Sequence, residues 1–246
     1  ESIRDAHSSL AVLIKNPAWR LVEAVKTLRD SDGNILIKDW YDEVIPFSKT
    51  DLELIMKEPF DQNVFKKEFG IKSFVGNKKN LDAKKALVGD ATCNIAGFIS
   101  GYTGDGAKTV LPGDALVKID FRLIPKMEPK KQILRLKKHL KLCGFGDVKI
   151  KIFHGEAAAR TDSSHPFVSQ VKDASDKIFG TSILNVSNAG TGPMYPFVDI
   201  LKSPCISIGS TYMFSRIHSP NEFARVDLLK KTTKCMCLIM QNFGKN

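Results

Sequence analysis

The stretch Asp114-Ala-Leu-Val-Lys-Ile-Asp-Phe-Arg-Leu-Ile124 alternates without a break. Leu116, Lys118, Asp120 and Arg122 fall on one side, and Val117, Ile119, Phe121 and Leu123 on the other. A period of two marks a half-buried strand, which requires a sheet with one covered and one wetter face. Its neighbours can build that sheet. Residues 91–100 read as a second strand, and residues 128–142 as a helix with Ile133, Leu136 and Leu140 on one side, ended by Gly144. Upstream, residues 16–29 read as a helix. Asn16 can cap it, Pro17 suits its first turn, and Trp19, Val22, Val25 and Leu28 recur at helical spacing. Residues 35–37 and 148–153 complete the set as short strands. Helix, strand, strand, helix, strand, with one more strand expected just before residue 1, is a βαββαβ ferredoxin-like unit.

Residues 41–90 read as an insertion in that unit, with short helices at 51–57 and 63–69 and then a basic loop ending at Asp90. After Gly155 the pattern changes. A helix at 165–179, short strands at 183–186 and 204–208, and a terminal helix at 227–243 alternate as at the edge of an α/β sheet. So small a sheet cannot cover both its faces, so further strands are expected from an absent segment or a partner. The expected fold class is therefore α/β with an α+β lid. Its domains would be 1–155, including the insertion, and 156–246.

The 246 residues carry 37 Lys+Arg against 27 Asp+Glu, a net charge of +10. The lysines are scattered in pairs with no aromatic stacking residues between them, which argues for a solvated surface and against nucleic acid. Cys93, Cys143, Cys205, Cys235 and Cys237 are odd in number and lie in apolar segments. They read as reduced, buried thiols of a cytoplasmic protein. No run of 18 apolar residues argues for a membrane span. The loop Gly101-Tyr-Thr-Gly-Asp-Gly106 is not a nucleotide loop, because no helix follows it.

One block carries chemistry. An apolar segment and glycine turn, Ile206-Ser-Ile-Gly-Ser210, lead to His218-Ser-Pro-Asn-Glu222. Imidazole is the commonest protein ligand for zinc, and a carboxylate four residues on can orient it or cap a helix. Further back stands Asn188-Ala-Gly-Thr-Gly-Pro193, whose glycines let backbone approach a ligand closely.

Six ordered blocks resemble the co-catalytic zinc metallopeptidases. That family includes carboxypeptidase G2, aminoacylase, acetylornithine deacetylase, succinyl-diaminopimelate desuccinylase and the carnosinase-like nonspecific dipeptidases. The blocks are Asp5-Ala-His-Ser8 with Asn16-Pro17, Gly106–Pro112, Asp120-Phe-Arg-Leu-Ile-Pro125, Phe153-His-Gly155 with Thr161-Asp and His165-Pro166, Asn188–Pro193, and His218–Glu222. Ala6 and Ser9 depart from the opening signature, which usually has Leu and Gly there.

The resemblance implies a ferredoxin-like lid that dimerises, joined to the C-terminal part of an α/β zinc-peptidase catalytic domain. It implies two divalent metal ions, zinc with manganese or cobalt as alternatives, and a peptide or N-acyl amino acid substrate with a free carboxylate. His218 would be a metal ligand. His7 would cross to the partner's site and donate to the oxyanion. Arg122, helped by Thr109, would clamp the substrate carboxylate, with Thr191 and His154 as further substrate contacts. The family's His-x-Asp pair, bridging Asp and Glu-Glu pair are absent here. The expectation is a C-terminal half, inactive alone, with a non-catalytic dimerisation module as the alternative.

Overall fold

The computed structural model describes residues 3–188, 190, 192–211 and 214–244. Its elements begin with β1 (Ala6–His7), α1 (Pro17–Lys26), α2 (Lys49–Lys57), α3 (Gln62–Phe69) and α4 (Asn80–Gly89). They continue with β2 (Thr92–Ser100), β3 (Val110–Leu111), β4 (Ala115–Arg122), α5 (Pro129–Leu142), α6 (Pro166–Phe179) and α7 (Val226–Phe243). Contacts divide the chain into two units. The first holds residues 1–45, 75–77 and 90–158, and the second holds 46–74, 78–89 and 159–246. Most of the segment read as an insertion in the first domain is thus assembled with the second unit.

In the first unit, β2 and β4 form an antiparallel pair running from Thr92↔Arg122 to Ser100↔Ala115, with an irregularity between Ile95 and Gly97. The alternation of β4 survives in its environment. Leu116, Lys118 and Arg122 are exposed, while Ile119, Phe121 and Leu123 lie against the core. That core gathers Ala24 and Leu28 near α1, Ile35, Ile37 and Trp40 from the following loop, Cys93, Met127, and Leu140 with Phe145 near the end of α5. Phe121 lies with its ring centroid 5.0 Å from that of Trp40. Outside the core, Arg135 grips Glu43 through both guanidinium nitrogens, at 2.5 and 2.9 Å.

Helix starts follow local chemistry. Asn16 Oδ1 accepts from the Ala18 N–H at 2.8 Å, with Pro17 in the first turn. The buried stripe of α1 is nevertheless Leu21 and Ala24, continued by Leu28, whereas Trp19 and Val22 are exposed. Apolar spacing offers two stripes on this helix, and only packing chooses between them. Residues 35–37 and 148–153 form no strands; Ile35 makes a single bridge to Arg29. A strand is defined by its ladder, and these segments find no continuous partner.

In the second unit, α6 packs on α7. Val168, Val171, Ala174 and Cys235 are buried. His165 caps α6, its Nδ1 accepting from the Phe167 N–H at 3.1 Å. Residues 183–186 and 204–208 are not strands either. Thr161 takes the place of a ladder neighbour for Cys205. Its hydroxyl donates to the Cys205 carbonyl and accepts from the Cys205 N–H, both at 2.8 Å.

The basic segment read as a loop contains α4, whose Lys84 has a buried stem and an ammonium donating to the carbonyls of Met56 and Glu58. Those carbonyls close α2, where a cation is favoured. Of the five cysteines, all unpaired, Cys143 and Cys237 are exposed rather than buried.

Candidate active site

The first unit brings two of the expected residues together. β1 and β3 pair antiparallel, Ala6 opposite Leu111 and His7 opposite Val110, and the Ser8 N–H donates to the Thr109 carbonyl at 3.1 Å. Leu111 is buried and anchors the ladder. The return of the chain is held just beyond it. The Gly113 N–H donates to Asp5 Oδ1 at 2.9 Å, and a side chain at Gly113 would meet the Arg4 backbone at 2.9 Å. Only glycine allows that approach.

This register sets His7 Nε2 3.4 Å from Thr109 Oγ1. The other ring nitrogen, Nδ1, accepts from the Ser9 N–H at 3.2 Å and stands 2.9 Å from Ser9 Oγ. His7 thereby caps the short 3-10 turn Ser8–Val12. The ring is exposed, fixed at one nitrogen by its own loop and presented at the other.

Sequence reasoning grouped Thr109 with Arg122. In the structure Thr109 is a neighbour of His7, while Arg122 closes β4 at the end remote from the β3–β4 turn, 3.7 Å from Asp120. Seven residue steps along a strand span about 23 Å, so Arg122 is well separated from Ala115. His154 is exposed, with Glu156 at 3.6 Å.

In the second unit His218 lies in an unusual loop. Arg216, His218 and Asn221 all have left-handed backbone, with φ of 60°, 61° and 62°. Such geometry costs a non-glycine residue about 1–2 kcal/mol. The loop is closed by the Phe223 N–H donating to the buried Ser215 carbonyl at 3.1 Å, and by Ser219 N–H to Arg216 O at 2.9 Å. Strain concentrated in one loop is a pointer to function. Thr191 lies outside the described residues.

Among the described residues no three His, Cys, Asp or Glu side chains gather where they could hold a metal ion. One imidazole is not a metal site, which needs several ligands in fixed geometry. These residues do not by themselves fit a metal pair.

What sequence reasoning missed in the second unit is Asp51. Its buried carboxylate accepts from the Ser163 hydroxyl at 2.9 Å and from the Ser48 N–H at 3.1 Å, with Arg160 at 3.6 Å. Burial alone would raise its pKa, but the bonds from Ser163 and Ser48 and the charge of Arg160 prevail and hold it below the usual carboxylate range. The Ser48-Lys-Thr-Asp51 capping box was legible; the tie to Ser163 was not.

A family model described as a peptidase dimerisation domain matches residues 2–142. The chain is similar to a Beta-Ala-His dipeptidase of Homo sapiens, 24% identical over 231 residues that cover 89% of this chain and 44% of that relative. It is 24% identical to the Cys-Gly metallodipeptidase DUG1 of Saccharomyces cerevisiae, over 98% of this chain and 52% of the relative. A solved structure of an M20 family metallo-carboxypeptidase from Sulfolobus solfataricus superposes with a TM-score of 0.85 at 34% identity, covering 97% of this chain and 55% of the other. The chain spans about half the length of the relatives it matches.

Proposed function

The chain belongs to the M20 peptidases, whose dimerisation domain it carries over residues 2–142, and on that premise we propose that it serves a metal-dependent hydrolase. The substrate would be a dipeptide or an N-acyl amino acid with a free carboxylate. The observation that carries this reading is the β1–β3 ladder, which sets His7 Nε2 beside Thr109 Oγ1 within the matched domain. Two polar groups held side by side and exposed form a preorganised donor pair of the kind that stabilises an oxyanion in amide cleavage. Relatives named as metallopeptidases and dipeptidases support the reaction class.

In this reading His7 and Thr109 act as one unit in the partner subunit's site of a homodimer. Arg122 is the carboxylate clamp, because a planar guanidinium binds a carboxylate through two parallel bonds. His154 and Thr191 are further substrate contacts. His218 supplies one ligand to a metal pair, zinc being the favoured metal, whose other ligands the described residues do not provide. No step through the metal is therefore assigned to this chain, and the chain by itself is expected to be inactive. Among the described residues no helix is long and apolar enough to cross a membrane. A cytoplasmic location belongs to the same proposal, resting on the five unpaired cysteines.

Subunit mixing tests it. In an enzyme that contains this chain and a full ligand set, His7→Ala and His218→Ala each remove most activity as homodimers. In a mixed dimer, one site keeps its ligands and borrows an intact His7, while the other site loses both groups. With random exchange, half the dimers are mixed and half of their sites work. About a quarter of wild-type activity should return, as two-fold symmetry requires. A flat mixing curve, with exchange confirmed by mass, overturns the trans assignment.

A further inference from the structure

We infer that Ser9 is a positioning residue for His7, selecting the tautomer in which Nε2 carries the proton. The inference rests on the reading of His7 as an oxyanion donor and goes beyond it to the residue that makes it one. A backbone N–H can only donate, and the Ser9 N–H points at Nδ1 from 3.2 Å. That bond biases Nδ1 toward offering its lone pair, without fixing it. The Ser9 hydroxyl, 2.9 Å from the same nitrogen, can rotate to donate as well. Both Ser9 groups converge on one ring nitrogen.

A neutral imidazole has a single N–H, so occupation of Nδ1 by donors leaves the proton on Nε2. Nε2 is the nitrogen that faces Thr109. In the opposite tautomer the ring would present a lone pair on that side and would repel a developing oxyanion instead of stabilising it. Ser9 also restrains the ring, because a side chain held at one end by two bonds has less rotamer freedom to lose when it meets a ligand. The exposed setting makes this matter: the ring is not buried, and the bonds of the local turn are what hold it.

The test uses the present chain with 15N-labelled histidine, at about pH 8.5 where ordinary imidazoles are neutral. Two-bond 1H–15N spectra distinguish a bare ring nitrogen from a protonated one. In the wild type, His7 Nδ1 should resonate as bare and Nε2 as protonated, with the full separation between them. Ser9→Ala keeps the N–H but loses the hydroxyl, and should shrink that separation as the second tautomer becomes populated. Ser9→Thr should restore it. His139 is the internal reference, since its Nε2 lies 3.0 Å from the Thr27 carbonyl and its shifts should not move.

A protonated Nδ1 in the wild type overturns the proposal without any variant being needed. So does a Ser9→Ala ring with unchanged separation. The readout requires no turnover. Failed subunit mixing with the expected tautomer would remove the catalytic role of His7, and the wrong tautomer with successful mixing would remove Ser9 alone.

Discussion

The first unit buries Trp40 among Leu28, Ile37, Met127, Leu140 and Phe145, and among the described residues Gln132 is its one buried polar side chain, donating to the Trp40 carbonyl at 3.2 Å. The second unit buries Ile55, Val168, Val171 and Ala174, but it also buries Asp51, Lys84, Ser175 and Ser215. One unit is held mainly by apolar area, which is indifferent to pH. The other adds buried polar pins, which are directional, and those made by Asp51 and Lys84 are ionisable; the Arg135–Glu43 pair of the first unit lies outside its core. The difference also shows in the two candidate histidines. His7 sits on a regular ladder, and His218 sits on a loop with three left-handed residues.

The largest break in that comparison should come from Trp40→Ala. Removing a buried aromatic from a packed core costs about 3–5 kcal/mol, and the loss should appear in the first unit's denaturation midpoint at every pH tested. A cost below about 1 kcal/mol would show that apolar packing is not what holds this unit. Next in size is Ile95→Pro. Ile95 is half exposed on β2, whose second edge carries no strand among the described residues. Proline removes a donor from such an edge, so sedimentation should show a dimer turning into monomer or aggregate. An unchanged dimer would locate the interface elsewhere.

Asp51→Asn sharpens the other half of the comparison, with an expected cost of about 1–3 kcal/mol near pH 7. The folded pKa of Asp51 is depressed, so its contribution is present above the ordinary carboxylate value. It is lost as pH falls through that value toward the folded one. Wild-type stability of the second unit should therefore drop below about pH 4, and the variant should drop less. Equal slopes in urea titrations of the two proteins would remove Asp51 from the account.

The smallest effect should come from Asp176. Bonds from Lys172 and Ser182 hold it at about 2, which extends the same acid loss to lower pH. Ser182→Ala should let the Asp176 pKa rise toward the ordinary value, so its small cost should appear at neutral pH and fade as the carboxylate protonates in acid, measured by circular dichroism in urea at several pH values.

Much of this was legible in the chain. Asn16-Pro17 and His165-Pro166 mark their helix starts because caps act over two or three residues, and the alternation of β4 is a property of eleven consecutive residues. His7 and His218 stood out by neighbouring residue types. What failed to show was anything that needs a partner distant in sequence. Residues 148–153 have the composition of a strand and no ladder, and Cys205 is bonded by the side chain of Thr161 where a strand had been expected.

Sequence alone determined the helices α1, α5, α6 and α7 and the two long strands β2 and β4, because short-range sterics, capping and periodicity decide those. Tertiary structure decided which apolar stripe of α1 is buried, that α4 is a helix whose Lys84 closes α2, and that Asp51 reaches Ser163 across 112 positions. It also decided that Thr109 belongs with His7, 102 positions away. Those pairings depend on backbone register, and a one-residue slip would turn His7 to the opposite face of its strand.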